Sequence, residues 1–189
     1  MLEKAAEETQ TQLLRRVAAQ DRQALAEFYD EVAGVLFATA VRILGDPQEA
    51  EEVIQDVFVQ IWRKAPMFDI TLGTPFHWAV SITRNRSIDR LRARQRRTRV
   101  LDELRGDAAS ETEFYSPATP AALDTEHFST VRVAVSSLPS DQRQAIELAF
   151  FGGMTHAEIA GHLGEPLGTV KARIRRGMLK LRESLQAYV

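Results

Sequence analysis

The sequence predicts an all-α protein made of two small helical domains. Three observations carry this. Apolar residues recur at helical spacing through most of the chain, no stretch shows convincing strand alternation, and an acidic, proline-containing segment divides the chain in two. The divisions are a first domain at 1–100, a linker at 101–126 and a second domain at 127–189.

The first domain opens with Leu13, Leu14 and Val17, then Leu25, Phe28, Tyr29, Val32, Leu36, Phe37, Val41 and Leu44. This helical stripe breaks near Gln20-Asp21 and is closed by Gly45-Asp46-Pro47. A helix from Gln48 to Lys64 follows, with Val53, Ile54, Val57, Phe58 and Ile61 on its buried face. Glu52, Gln55, Asp56, Val59, Gln60 and Arg63 face the other way. A polar face with one apolar residue, Val59, at its middle suits a docking surface as well as it suits plain solvent.

A loop from Pro66 to Pro75 precedes a third helix that starts near Phe76 and carries Trp78, Ile82, Asn85, Asp89 and Arg92 along one side. Stacking, amide and cationic groups beside a loop suit a reader of single-stranded nucleic acid. A core-packed Trp78 and a surface pair of Asp89 with Arg92 explain the same residues equally well. Between Arg84 and Arg99, eight arginines face Asp89 alone, so this stretch reads as a basic helix.

The second domain begins with short helices near His127–Ser136 and Ser140–Phe151, broken by Gly152-Gly153. Two more, Thr155–Gly164 and Leu167–Arg182, are joined by a tight break. Thr155 and Glu158 have capping-box spacing, and Gly164 supplies the stop. In the last helix Val170, Ile174, Met178 and Leu181 form the inner stripe. Ala172, Arg175, Arg176 and Leu179 face away from it, with Lys171, Arg173 and Lys180 on the flanks. From Pro166 to Arg182 there is no acid. This is the pattern of a helix-turn-helix DNA reader, against the plainer alternative of a solvated basic face.

The formal net charge of −2 at pH 7 averages over sorted charges: residues 1–62 are acidic, and the two basic helices are not. No apolar run is long enough to cross a bilayer, and residues 1–12 are polar and acidic rather than signal-like. Zero cysteines exclude disulfides and fit a reducing cytoplasm, the expected location. His77, His127, His156 and His162 form no metal-binding spacing, and no glycine-rich phosphate loop occurs. Neither a metal, a cofactor nor an enzymatic activity is expected.

The order Glu49-Ala50-Glu51-Glu52-Val53-Ile54-Gln55-Asp56-Val57-Phe58, then Trp62-Arg63, Trp78, Ile82-Thr83-Arg84-Asn85, Asp89-Arg90-Leu91-Arg92, Leu138-Pro139, Gln142-Arg143 and Gly168-Thr169-Val170-Lys171-Ala172-Arg173 resembles the bacterial extracytoplasmic-function sigma factors. Phe150-Phe151-Gly152-Gly153-Met154-Thr155 looks closest to the sigma K type. Larger sigma factors carry a further domain where this chain has its acidic linker.

The resemblance implies that Glu52, Gln55, Asp56, Val59, Gln60 and Arg63 meet RNA polymerase core, through the clamp helices of β′, with β as a second contact. It implies that Phe68, Trp78, Arg84, Asn85, Asp89 and Arg92 open the −10 element around a flipped base centred on Asn85. Thr169, Lys171, Ala172, Arg173, Arg175, Arg176 and Lys180 are implied to meet the −35 duplex, with Arg90, Arg94, Arg96, Arg97, Arg173 and Lys180 on phosphates. An anti-sigma partner is also implied, a membrane-anchored one included. The rival expectation is a helix-turn-helix regulator that does not bind polymerase core.

Overall fold

The computed structural model describes residues 2–105 and 126–186, and all its regular elements are helical. The chain divides into two compact units, residues 1–118 and 119–189. Among the described residues, no helix is long and apolar enough to cross a membrane.

The first unit holds α1 (Leu2–Ala18), α2 (Arg22–Leu44), α3 (Pro47–Lys64) and α4 (Pro75–Arg105). The break near Gln20 is a left-handed turn, with Gln20 at φ 63°. Asp21 then caps α2 by accepting from the amides of Gln23 and Ala24 at 2.9 and 3.2 Å. Those bonds, led by the one from Ala24, and the Arg16 guanidinium hold the Asp21 carboxyl below its ordinary range. Asp46 caps α3 in the same way, accepting from Gln48 at 2.8 Å, and Pro47 occupies the first turn, where its missing N–H costs nothing.

The core of this unit is built from Leu14 and Val17 of α1, Phe28, Val32, Leu36 and Ile43 of α2, Val57 and Ile61 of α3, and Ala79, Ile82, Ile88 and Leu91 of α4. Burying each large member contributes about 1.5–3 kcal/mol. Thr83 and Ser87 are also buried; their hydroxyls donate to the carbonyls of Ala79 and Thr83 one turn back, so neither is left unsatisfied. Tyr29, expected in the stripe, is instead half-exposed at its edge, with its ring 4.7 Å from that of Phe58. The expected third helix and the basic stretch form one element, α4, which continues to Arg105, inside the segment whose composition reads as linker. The remainder of that segment, 106–125, lies outside the described residues.

The second unit holds α5 (Glu126–Ser136), α6 (Ser140–Phe150), α7 (His156–Leu163) and α8 (Leu167–Gln186). The capping box is present: Glu158 N–H donates to Thr155 Oγ1 at 3.3 Å, and Thr155 N–H donates to Glu158 Oε2. Gly164, at φ 64°, ends α7 in the left-handed conformation that frees the chain to turn into α8. Met154, Ile159 and Val170 form the buried centre, with Leu148, Ala160, Leu163 and Ile174 packed around it.

One expectation about α8 is corrected. Met178 is 53% exposed, and the buried position one residue earlier is Gly177. A Cβ at Gly177 would stand 2.6 Å from Ile146 Cδ1 and 3.3 Å from Gln142 Cβ. The inner stripe is therefore 170, 174, 177 and 181, and the absent side chain at 177 lets α8 lie directly on α6.

Candidate functional site

Three surfaces follow from these elements. The first is the outward face of α3, where Glu52, Gln55, Asp56, Val59 and Arg63 are exposed and Gln60 is half-buried. Val59, 49% exposed, is the apolar centre of this otherwise polar face. Along one edge runs a row of bonds from α4. Arg86 Nε donates to Gln60 Oε1 at 2.9 Å, and Arg90 Nη2 donates to Glu52 Oε2 at 2.6 Å. Arg94 donates to Glu49 at 3.3 Å and to the Leu44 carbonyl at 3.0 Å. Arg86, Arg90 and Arg94 recur every fourth residue, so they share one side of α4. Arg90 and Arg94, expected on phosphate, thus brace α4 against α3.

The second surface joins the loop to α4. The loop is shaped by two short 3₁₀ turns, Ala65–Met67 and Ile70–Leu72, the second capped by Asp69, which accepts from the Thr71 hydroxyl at 2.7 Å and amide at 2.9 Å. These bonds hold the Asp69 carboxyl below its usual range. The turns bring Phe68 onto Trp78, ring centroids 5.3 Å apart and tilted by 53°.

Beside this pair lies a cavity of about 200 Å³, lined by Met67, Phe68, Asp69, Leu72, Gly73, Thr74, His77, Trp78 and Ser81. Asn85 is exposed one turn beyond Ser81, and its Oδ1 accepts from Arg84 Nη1 at 3.4 Å. Burial, helped by the charge of Arg92, lowers the pKa of the half-buried Arg84 guanidinium. Asp89 and Arg92 are exposed further along, whereas Ile82 turns into the core. Sequence reasoning missed Met67, Leu72, His77 and Ser81 as lining residues. The available signal was Met67, Ile70 and Leu72 within a loop of no helical period; Leu72 is 88% exposed.

The third surface is the outer face of α8. Lys171, Ala172, Arg175, Arg176 and Lys180 are exposed, Thr169 is half-buried, and Leu179 stands among the cations. Arg176 Nε donates to the Ala172 carbonyl at 3.3 Å, which lays the guanidinium along the helix. Arg173 differs from the rest in being tied to Asp141 and Glu165 inside the unit.

Comparison with known proteins bears on both units. The Sigma-70 region 2 family matches residues 28–97, and the Sigma-70 region 4 family matches residues 129–181. An ECF RNA polymerase sigma factor SigK from Mycolicibacterium vanbaalenii is 34% identical over 173 residues, covering 92% of this chain and 87% of its own length. The SigK of Mycobacterium tuberculosis is also 34% identical over 173 residues, with 92% and 91% covered.

Among solved structures, Rhodobacter sphaeroides SigE in complex with the anti-sigma ChrR is 30% identical with a TM-score of 0.46, covering 94% of this chain and 98% of that one. Bartonella quintana RpoE in complex with the anti-sigma factor NepR is 27% identical with a TM-score of 0.41, covering 85% and 96%. A helix-turn-helix regulator lacking a polymerase-binding domain would leave the match at 28–97 without explanation. Since that span contains α3 and the Trp78 to Arg92 side of α4, and relatedness extends over nine-tenths of the chain, the protein belongs to the extracytoplasmic-function RNA polymerase sigma factors.

Proposed function

We propose a division of labour among the three surfaces of this sigma factor. The α3 face docks on the clamp helices of the polymerase β′ subunit, with Gln55, Asp56, Val59 and Arg63 as its open contacts and Glu52 and Gln60 at the edge shared with α4. The Phe68–Trp78 pair, Asn85 and the adjoining cavity receive a base extruded from the −10 element, with Arg84, Asp89 and Arg92 beside them. Extruding a base costs a few kcal/mol, and stacking together with hydrogen bonds to its edge returns part of that.

The outer face of α8 reads the −35 duplex: Arg175 and Arg176 reach base edges, Ala172 admits the groove floor, and Thr169, Lys171 and Lys180 meet the backbone. The observation that carries this reading is the pairing of Phe68 with Trp78 beside a concave site one turn from Asn85, because it supplies a stacking surface and an amide together. An anti-sigma protein covering the α3 face would block docking, and the β subunit is the second polymerase contact. The chain acts in the cytoplasm, at the nucleoid when in holoenzyme.

In vitro transcription tests the whole reading. Added to purified core on a library of genomic fragments, the chain is expected to start transcripts from a shared pair of elements. Transcripts no different from those of core alone would sink the proposal.

The α8 assignment has its own test. Arg176→Ala is expected to cost roughly 1–3 kcal/mol on the correct −35 duplex and to relax the preference there, whereas Lys180→Ala weakens all duplexes alike and lowers the salt slope by about one. Binding curves at several salt concentrations check both. Equal losses on specific and scrambled duplexes would reduce α8 to an electrostatic clamp.

A further inference from the structure

Arg173 lies in the second turn of α8, on the flank of a helix otherwise free to offer its cations to DNA. Its side chain is only 19% exposed. Nη2 donates to Glu165 Oε1 at 2.9 Å, and Nε lies 3.1 Å from Asp141 Oδ2. Glu165 sits in the turn between α7 and α8, and Asp141 in the first turn of α6. Helical side chains lean toward the amino end of their helix, which is why Arg173 reaches back to that turn. One rigid, planar guanidinium thus joins three elements.

The next level of the same contact is Gly177, one turn on, which seats α8 against Ile146 and Gln142 of α6. Arg173 and Gly177, beside the buried Val170 and the packed Ile174, constrain the rotation and the depth of α8. Helix geometry sets the sensitivity: at an outer radius of about 5–6 Å, each rotation of about 10° would move a side chain by about 1 Å. That displacement breaks a hydrogen bond whose useful range spans a few tenths of an ångström.

We propose that Arg173 is a positioning residue for −35 reading, acting through the seat of α8 on α6 and the inter-helix turn, and not a phosphate contact. The proposal rests on α8 being the −35 reader. The competing account is masking, in which Glu165 and Asp141 hold Arg173 until DNA takes it from them. The two accounts predict opposite signs. Under masking, removing either carboxylate frees a cation and raises the affinity and salt slope for every duplex. Under positioning, removing either carboxylate lowers the ratio of −35 to scrambled binding.

The test uses the full chain, a −35 duplex from a promoter it transcribes, and a scrambled duplex, titrated over a range of salt. The wild type is read first. If it binds both duplexes alike, the −35 reading fails and takes this proposal with it. Given discrimination by the wild type, Arg173→Met is expected to lower the ratio about tenfold, within what loss of one good base contact costs, and to leave the salt slope unchanged.

Glu165→Gln and Asp141→Asn lower the ratio in the same direction by smaller factors, and Glu165→Gln adds little once Arg173→Met is present. Circular dichroism monitors folding; should Arg173→Met unfold, the two carboxylate variants decide by the same ratio. A slope reduced by about 0.9, as for one lost phosphate contact, with an unchanged ratio would overturn the proposal. So would tighter binding of all duplexes by Glu165→Gln.

Discussion

A chain carrying Asp56→Arg together with Gln60→Ala is expected to lose polymerase core while keeping its fold. Asp56 is exposed on α3 three residues from Val59, so an arginine there places the wrong charge next to the apolar centre of the face. Reversing a desolvated interfacial charge costs roughly 2–5 kcal/mol, which at the middle of that range is more than a hundredfold in affinity. Neither side chain belongs to the buried row of Val53, Ile54, Val57 and Ile61, so helix content should not change. Gln60→Ala also removes the acceptor of Arg86, loosening one edge of the face. A pull-down with core, alongside circular dichroism, reads both properties. A folded double variant that still bound core would move docking off α3.

The second large effect is expected at Asn85. Asn85→Ala removes an exposed amide one turn from the Phe68–Trp78 cavity, so duplex recognition should survive while strand opening suffers. Losing paired hydrogen bonds to a base edge costs about 1–3 kcal/mol, or roughly 5- to 150-fold in the open-complex equilibrium. Permanganate footprinting of the −10 element should show weaker reactivity at equal closed-complex occupancy. On a pre-melted bubble the variant should also bind more weakly than wild type; equal binding would show that Asn85 does not meet the extruded base.

What could be read in advance was local. Gly164 and the Thr155–Glu158 pair act within one turn of themselves, so their roles follow from spacing alone, and the helix-turn-helix boundaries followed from them. The apolar row of α3 was equally legible because burial repeats with the helix period, whereas in α2 Phe28, Val32, Leu36 and Leu44 were read but the buried Ile43 and the small Ala24, Ala38 and Ala40 were not.

Three things were not legible. Gly177 carries no hydrophobic signal, so Met178 beside it drew the assignment, although a close helix crossing needs the smaller residue. Arg90 and Arg94 looked like free cations because Glu52 and Glu49 are 38 and 45 positions away, and Arg173 because Asp141 is 32 positions away and Glu165 lies across a turn; all become neighbours only when the helices pack. The meeting of Phe68 with Trp78 depends on two 3₁₀ turns that no periodicity announces.

The row of arginines that ties α4 to α3 has a mechanical meaning. Separating two paired strands exerts a force on whatever holds one of them, and α4 is the helix that carries the Trp78 and Asn85 side. Along its inner side α4 is held by the buried Ala79, Ile82, Ile88 and Leu91, and the cross-ties add attachment along its outer edge. On the proposed division of labour, Arg86, Arg90 and Arg94 pass part of that load sideways into α3, the helix proposed to dock on the polymerase. On that reading the small sigma factor would serve as a stiff coupling that hands the recoil of promoter opening to the enzyme.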